Sequence, residues 1–356
     1  MRRATFGRRA RATVGWALGL FVAVQFVTGW VLDYARPLVK FPTARAVLGV
    51  ARQDPKPPVF AFLGSSRTGA SIHYEELNNV LAEPGQRPPR AISLAVPAGD
   101  AITMEFLLDQ LLETGPVPRW AIVEVSPETV NAENTWWMPL HVLRQLNWEH
   151  VPTHARAAVK GHAAWLYLEA RCVPTYTYRK QIAAETKTAV RDWWPKDAAD
   201  SAGGSIAGGS DPTPLPLNWT EIIRAPAKPA NDTLIENSRV GATTTIRKSL
   251  TPYRIGGPVA AALERTLDKC RAAGIQVILL GIPTCSPHRE EYTPHIETAY
   301  SDYLNRLVGE YGCRYVDGRD WVPDTLFLDT LHVDVEGGKY FTRRLAREVL
   351  KGLLAE

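Results

Sequence analysis

The chain has 356 residues, 45% of them hydrophobic and 22% charged, a globular composition with enough length for one large domain or two ordinary ones. Its net charge of +4 is concentrated at one end, because Arg2, Arg3, Arg8, Arg9 and Arg11 contribute +5 before any acidic residue and leave about −1 for the rest. That balance makes no case for a nucleic-acid partner, and four widely spaced cysteines (Cys172, Cys270, Cys285, Cys313) without a CxxC pair exclude zinc-ribbon and thioredoxin-type motifs. In an oxidising compartment the four allow three pairings, and Cys270, inside a predicted helix, reads as a core residue.

The first predicted element is Val14 to Leu32, a run of 19 residues without a charge. As a helix it measures ~28 Å at ~1.5 Å per residue, close to the ~30 Å hydrocarbon thickness of a bilayer. The arginines precede it and Asp33 follows, with Trp30 and Tyr34 where interfacial aromatics belong. Residues 1–13 are therefore expected to form a cytoplasmic basic tail, residues 14–32 a transmembrane signal anchor, and everything beyond to be exported to a periplasmic or extracellular face. A cleaved signal peptide is the competing reading, but the apolar region exceeds the usual ~7–15 residues and no A-x-A site follows it closely. A Pro-containing linker, residues 33–57, then leads to a domain covering 58–356.

Val59-Phe-Ala-Phe-Leu63 reads as a buried parallel strand that breaks into Gly64-Ser65-Ser66-Arg67, a turn at the strand's C-terminal end. By itself this segment fits a strand-to-helix turn capped by Ser66 or Thr68 as well as it fits a nucleophile. Ile72, Leu77, Val80 and Leu81 recur at helical spacing, Ala91 to Pro97 is a second strand, and Ile102 to Leu112 a second helix. Trp120 to Val125 forms a third strand. After a long interval, Pro258 to Ala273 is helical, Gln276 to Ile282 a strand, and Thr293-Pro294 opens a helix through about Gly309. A short strand at Arg314 to Val316 and a helix from about Glu336 to Leu354 complete the chain. Strands separated by helices of this length predict an α/β fold, a three-layer α/β/α flavodoxin-like parallel sheet with right-handed crossovers.

Residues 132–250 interrupt the alternation as a mostly helical insertion. Residues 141–195 carry Trp136, Trp137, Trp148, Trp165, Trp193 and Trp194 in or beside them, and 196–217 is a Gly/Ser/Pro loop. These tryptophans fit packing of an irregular subdomain better than a sugar platform or a membrane face. His150 and His154 have i, i+4 spacing but Pro152 lies between them and no His-Glu-x-x-His motif is present, so no metal is assigned and no cofactor is implied. Asn218 and Asn231 match the short glycosylation sequon.

Asp329-Thr-Leu-His332, just before the last helix, is the partner for the serine turn. An Asp three residues before a His can accept from imidazole Nδ1–H, leaving Nε2 to take a proton from a hydroxyl. Capping of the last helix, the ordinary use of such an Asp, falls better to Asp334.

With these residues in place the chain resembles the SGNH (GDSL-like) hydrolase and acyltransferase superfamily, in particular its membrane-anchored branch associated with O-acylation of cell-surface polysaccharide. The resemblance covers about residues 58–131 and 255–354. Gly64-Ser65-Ser66 matches the Gly-Asp-Ser block, with Ser65 in place of Asp, which makes Ser66 the nucleophile. Asp329-x-x-His332 matches the last block and is the most specific signal. Leu94 to Asp100 resembles the second block, so the Ser66 and Gly99 N–H groups become expected oxyanion donors. The family's oxyanion Asn falls near Glu128, which as a carboxylate cannot donate. Asn131 or Ser126 is then a candidate replacement, and Arg67 a candidate for binding anionic substrate or for pairing with Glu128. Cys285 and His288 form a weaker thiol alternative without an orienting partner.

The resemblance implies an exported O-acyltransferase or acylesterase acting on a cell-surface polysaccharide or other acylated glycan, with a multi-pass membrane acyltransferase as a possible donor partner. The alternative is a catalytically inactive polysaccharide-binding or scaffolding protein of the same fold.

Overall fold

The computed structural model describes residues 2–54, 56–85, 87–134, 147, 163–193 and 244–355. The chain divides into two compact units, residues 1–45 with 138–212, and residues 46–137 with 213–356.

The first unit holds α1 (Arg2–Trp30), which continues as a wider turn through Val31–Ala35. Ala10–Ala35 is 26 residues long and apolar enough to cross a membrane by length and composition. The stretch 33–57, expected as a linker, instead contains α2 (Pro42–Arg52), in which Ala44, Val47, Leu48 and Ala51 are buried at helical spacing.

In the second unit five strands form one parallel sheet in the order β2-β1-β3-β4-β5: β1 (Phe60–Gly64), β2 (Ala91–Ala95), β3 (Trp120–Val125), β4 (Gln276–Gly281) and β5 (Arg314–Asp317). This is the flavodoxin-like α/β arrangement. The chain leaves β1 towards β2 on one side, then crosses back to β3 on the other, so the sheet's direction of growth reverses beside β1. In open α/β sheets the crevice outside such a switch point is where ligands sit. All five β1 residues are buried, as the unbroken apolar run requires of a central strand covered on both faces.

Between the strands run α3 (Ser66–Ser71), α4 (Tyr74–Leu81) and α5 (Ala101–Thr114). The single first crossover helix expected from periodicity is thus two short ones. Ile72 and His73 leave helical geometry, which turns Ile72 into the core and lets α4 start afresh. The insertion contributes α6 (Ala163–Cys172) and α7 (Arg179–Trp193) to the first unit, joined by the turn Pro174–Thr177. Trp136, Trp137, Trp148, Trp194, His150, His154, Asn218 and Asn231 lie outside the described residues. The four cysteines are unpaired.

Helices α8 (Gly257–Ala272), α9 (Pro294–Tyr311) and α10 (Val335–Leu345) complete the second unit, α10 continuing through Ala346–Leu350. One sheet face buries Phe60, Phe62, Trp120, Ile122, Ile278 and Leu280 against Leu77, Leu81, Phe341 and Leu345 of α4 and α10. On the other, α5 and α8 pack together and against the strands.

Candidate active site

Ser65 and Ser66 are adjacent but their surroundings differ. Ser65 is the N-cap of α3: it is 5% exposed, its oxygen accepts from the Arg67 N–H at 3.1 Å, and its hydroxyl donates to Glu124 Oε1 at 2.8 Å. Ser66, the first helical residue, is half-buried, whereas its neighbours from Phe60 to Ile72 are buried. Its Oγ lies 2.9 Å from His332 Nε2.

The loop that carries His332 is fixed locally. Leu328 N–H donates to the His332 carbonyl at 2.9 Å, Phe327 and Val333 form an antiparallel bridge, and Asp334 N–H donates to the Leu326 carbonyl at 2.8 Å. Inside this narrow hairpin Asp329 Oδ1 accepts from the backbone N–H groups of Leu331 and His332 at 2.6 and 2.7 Å. His332 Nδ1 sits 3.0 Å from Asp329 Oδ2 and 3.2 Å from Oδ1. Since Nδ1 faces only acceptors it carries the proton, which leaves Nε2 as the acceptor for the Ser66 hydroxyl. Burial raises the Asp329 pKa, but the His332 ring and the two backbone donors outweigh it and hold the carboxyl below its ordinary value. Asp334 caps α10 by accepting from Gly337 N–H at 2.7 Å, so capping leaves Asp329 to the histidine.

Two close approaches bring these parts together across 266 residues of sequence. A Cβ on Gly64 would come within 2.5 Å of Thr68 Cβ and 2.6 Å of Glu124 Oε2, so only glycine lets the turn close over β3. On α10, a Cβ on Gly338 would collide with the Ala70 carbonyl and come within 2.5 Å of His73 Nε2. α10 thereby rests directly on α3, and the Asp329–His332 hairpin that precedes it reaches Ser66.

Behind the serine lies a buried polar network that sequence reasoning did not assemble. Glu124, 4% exposed, accepts from Ser65 N–H at 2.7 Å, from the Ser65 hydroxyl and from Thr68 Oγ1 at 2.5 Å. The one visible signal was an acid inside the otherwise apolar Trp120-Ala-Ile-Val-Glu-Val125. Arg67 turns inward, 8% exposed, donating to Glu128 Oε1 and, at 3.1 Å, to Thr284 Oγ1. Of the two expectations for Arg67, the structure places it in the pairing with Glu128. Burial opposes the charge of Arg67, but Glu128 and Glu124 outweigh it and push the pKa up. Glu128 also accepts from Tyr292 OH at 3.0 Å. Burial would raise the Glu128 pKa, but Arg67, His288 and Tyr292 hold it down at about 2.

His288, beside Tyr292 OH at 3.2 Å, has its pKa pushed down to about 4 by burial despite the nearby Glu128. Its Nδ1 is 3.4 Å from the Thr330 carbonyl, which also accepts from Cys285 Sγ at 3.4 Å. Cys285 and His288 therefore share a grip on the loop between Asp329 and His332, and burial pushes the Cys285 thiol up, away from the thiolate form. The thiol alternative has no support in this geometry.

The remaining expected oxyanion donors are placed elsewhere. Asn131 Nδ2 donates to the Ser249 and Pro252 carbonyls, both at 2.8 Å, and its Oδ1 accepts from Arg254 and Glu133 N–H at 2.9 and 3.2 Å. It pins the returning chain and has no amide hydrogen left to donate. Ser126 is 1% exposed and forms a capping box with Thr129. Gly99 does approach the site, a Cβ there falling 2.6 Å from the Gly64 carbonyl, but its N–H donates to Val96 at 3.0 Å. Of the donors expected for an oxyanion, the Ser66 N–H at the start of α3 is the one with no acceptor among the described residues. No protein-family model and no curated relative matches the chain.

Proposed function

We propose that the chain is an exported, membrane-anchored SGNH-like serine enzyme, an O-acyltransferase or acylesterase acting on ester-linked acyl groups of a cell-envelope polysaccharide. The observation that carries this reading is the line Ser66 Oγ, His332 Nε2, His332 Nδ1, Asp329 Oδ2, with separations of 2.9 and 3.0 Å. A hydroxyl of a half-buried serine on an imidazole that a carboxylate orients is the arrangement a serine nucleophile needs.

In this mechanism Ser66 Oγ attacks the acyl carbonyl carbon while its proton moves to His332 Nε2. Asp329 stabilises the resulting imidazolium through Nδ1–H. The Ser66 N–H, at the positive end of α3, stabilises the oxyanion. His332 then protonates the departing alkoxide, leaving an acyl-Ser66 ester. In the second half-reaction His332 removes a proton from the acceptor, a sugar hydroxyl for transfer or water for hydrolysis, as the acceptor oxygen attacks the acyl carbon; the acyl–Ser66 bond then breaks and His332 returns the proton to Ser66 Oγ. α1 would hold the enzyme at the membrane with the arginine-rich tail in the cytoplasm, and a multi-pass membrane acyltransferase is the partner class that would supply acyl groups there.

The test is covalent labelling of detergent-solubilised full-length protein by a fluorophosphonate, followed by product analysis on an acylated oligosaccharide. Labelling at Ser66 that is lost in His332→Ala supports the reading. A folded wild type that stays unlabelled overturns it. Transfer to a second oligosaccharide or release of free acid separates transferase from esterase.

A second reading, a polysaccharide-binding or scaffolding protein without turnover, is favoured by one observation: Gly99 N–H and the Asn131 amide are both committed elsewhere. Losing one oxyanion donor costs ~10²–10³ in rate. Undiminished glycan binding by Ser66→Ala, together with no turnover by wild type, would select it.

A further inference from the structure

The turn between α6 and α7 runs down the side of α1. Arg171 pairs with Asp33, and Lys40 Nζ donates to the same carboxylate at 2.8 Å. Pro174 Cγ lies 3.7 Å from where a Cβ on Gly29 would stand. Thr175 donates to Gln25 Oε1 through its N–H at 3.2 Å and its hydroxyl at 2.8 Å, which buries Gln25 to 6% exposure. From Arg171 to Thr175 the contacts thus descend α1 from residue 33 to residue 25, ~12 Å at the rise of a helix.

That descent fixes a depth. The apolar helix is free of arginines only beyond Arg11, and above Gln25 the turn covers one side of it while Phe26, Val27 and Trp30 stay exposed on the other. The run Thr13–Val24 below the turn is ~18 Å long, short of the ~30 Å hydrocarbon core that a spanning helix must cross. A bilayer crossed by α1 must therefore extend past Gln25 and Gly29, and the turn packed on them lies at membrane depth. The exposed groups at that level suit a lipid interface. Trp30 and Tyr34, 54% and 46% exposed, stand 6.4 Å apart on α1, and Tyr176 at the turn's tip is 57% exposed. The Arg179 guanidinium lies 4.3 Å from the Tyr176 ring, and Lys180 next to it is exposed. Aromatic rings beside basic side chains are the chemistry of the headgroup boundary.

We propose that the α6–α7 hairpin is seated in the exported-side leaflet of the bilayer, with its tip Pro174–Thr177 beside α1 and Tyr176 against lipid. The first unit is then a two-part membrane anchor. This rests on the reading of α1 as a membrane span.

The test uses full-length protein in nanodiscs of phosphatidylcholine and phosphatidylglycerol, in a Cys172→Ser background whose three remaining cysteines are buried. NBD is attached at Tyr176→Cys, at Phe21→Cys on α1, or at Lys187→Cys, exposed on α7 eleven residues beyond the tip. Each label is challenged with doxyl-labelled lipid and with aqueous iodide. The expected result is blue-shifted NBD emission at 176 and 21, lost to doxyl lipid but not to iodide, with the reverse at 187. The native Cys172, exposed beside Arg171, gives a second reading without substitution and is expected to respond to doxyl lipid. Iodide quenching at 176 with lipid quenching at 21 overturns the proposal while leaving the anchor intact. Iodide quenching at both positions removes the anchor reading as well. Shielding of 176 from both quenchers identifies a protein contact and also overturns the proposal.

Discussion

Glu124 accepts both the amide hydrogen and the hydroxyl hydrogen of Ser65, at 2.7 and 2.8 Å, from 59 residues away in sequence. The pair holds the turn that presents Ser66, so the two serines should separate cleanly on substitution. Ser65→Ala removes one of three donors to Glu124 and should cost ~1 kcal/mol while fluorophosphonate labelling persists. Ser66→Ala should abolish labelling with little change in stability. Glu124→Ala strands the buried Ser65 N–H and is expected to cost ~1–3 kcal/mol for that group alone. Urea unfolding midpoints and labelling rates measure each. Labelling lost in Ser65→Ala but kept in Ser66→Ala would reverse the assignment.

Gly64 and Gly338 set the distance between Ser66 and His332. A methyl at either position meets atoms that cannot swing aside, Glu124 and Thr68 in the first case and the Ala70 carbonyl in the second. Gly64→Ala and Gly338→Ala should each destabilise by ~1–3 kcal/mol through overpacking. A displacement of ~1 Å between Ser66 and His332 is expected to slow labelling by ~10². Gly352, with nothing within 4 Å of its would-be Cβ, is the control. There the same change should be neutral or slightly stabilising, by up to ~1 kcal/mol, as Ala replaces a helical glycine.

The fold was legible where local pattern decides it. Val59 to Arg67 read as strand and turn, and Asp329-x-x-His332 needed only short-range geometry to align an imidazole. Helix ends were readable too, since Thr293 caps α9 and Asp334 caps α10 through their own side chains. What the sequence concealed is long-range. Glu128 looked like a damaged oxyanion position until Arg67, Tyr292 and His288 surrounded it. Gln25, inside the apolar run, and Asp33, just after it, have no local sign of a partner, yet they pair with Thr175 and Arg171, 150 and 138 residues away. Asn131 was a candidate donor on its amide chemistry alone, and the carbonyls that claim that amide come from 118 and 121 residues later.

Ala98 has φ 55°, inside the turn where Gly99 N–H reaches back to the Val96 carbonyl. A left-handed residue with a Cβ costs ~1–2 kcal/mol relative to glycine, and glycine in turn loses ~0.4–1 kcal/mol more chain entropy on folding. Ala98→Gly is therefore expected to raise stability by up to ~1 kcal/mol, read from the urea midpoint at unchanged slope. The turn lies against the Gly64 carbonyl, so labelling of Ser66 reports whether the relaxed turn alters the site. A loss of stability would show that the left-handed geometry at Ala98 is not strained.

Acid should loosen the second unit in two stages, because His288 and Glu128 are both held less protonated in the folded chain than in the unfolded one. Burial depresses His288 from an ordinary value of 6.5 to about 4, so the unfolded state binds its proton first as pH falls. Stability tied to a neutral His288 is complete above pH 6.5 and is lost as pH falls to about 4. Glu128, held at about 2 against an ordinary 4.5, repeats the behaviour lower down: its contribution is complete above pH 4.5 and is lost towards pH 2. Each shift corresponds to at most ~3–4 kcal/mol, and the coupling between the two groups makes the sum smaller than the parts. The measurement is the urea midpoint between pH 8 and pH 3 for wild type and His288→Asn. Wild type should weaken as pH falls below about 6.5, and the variant, less stable at pH 8, should decline less steeply between 6.5 and 4.5, its remaining slope coming from His73, whose pKa burial also lowers. A wild-type midpoint that stays level from pH 7 to pH 4 would mean that His288 is not held neutral behind Thr330.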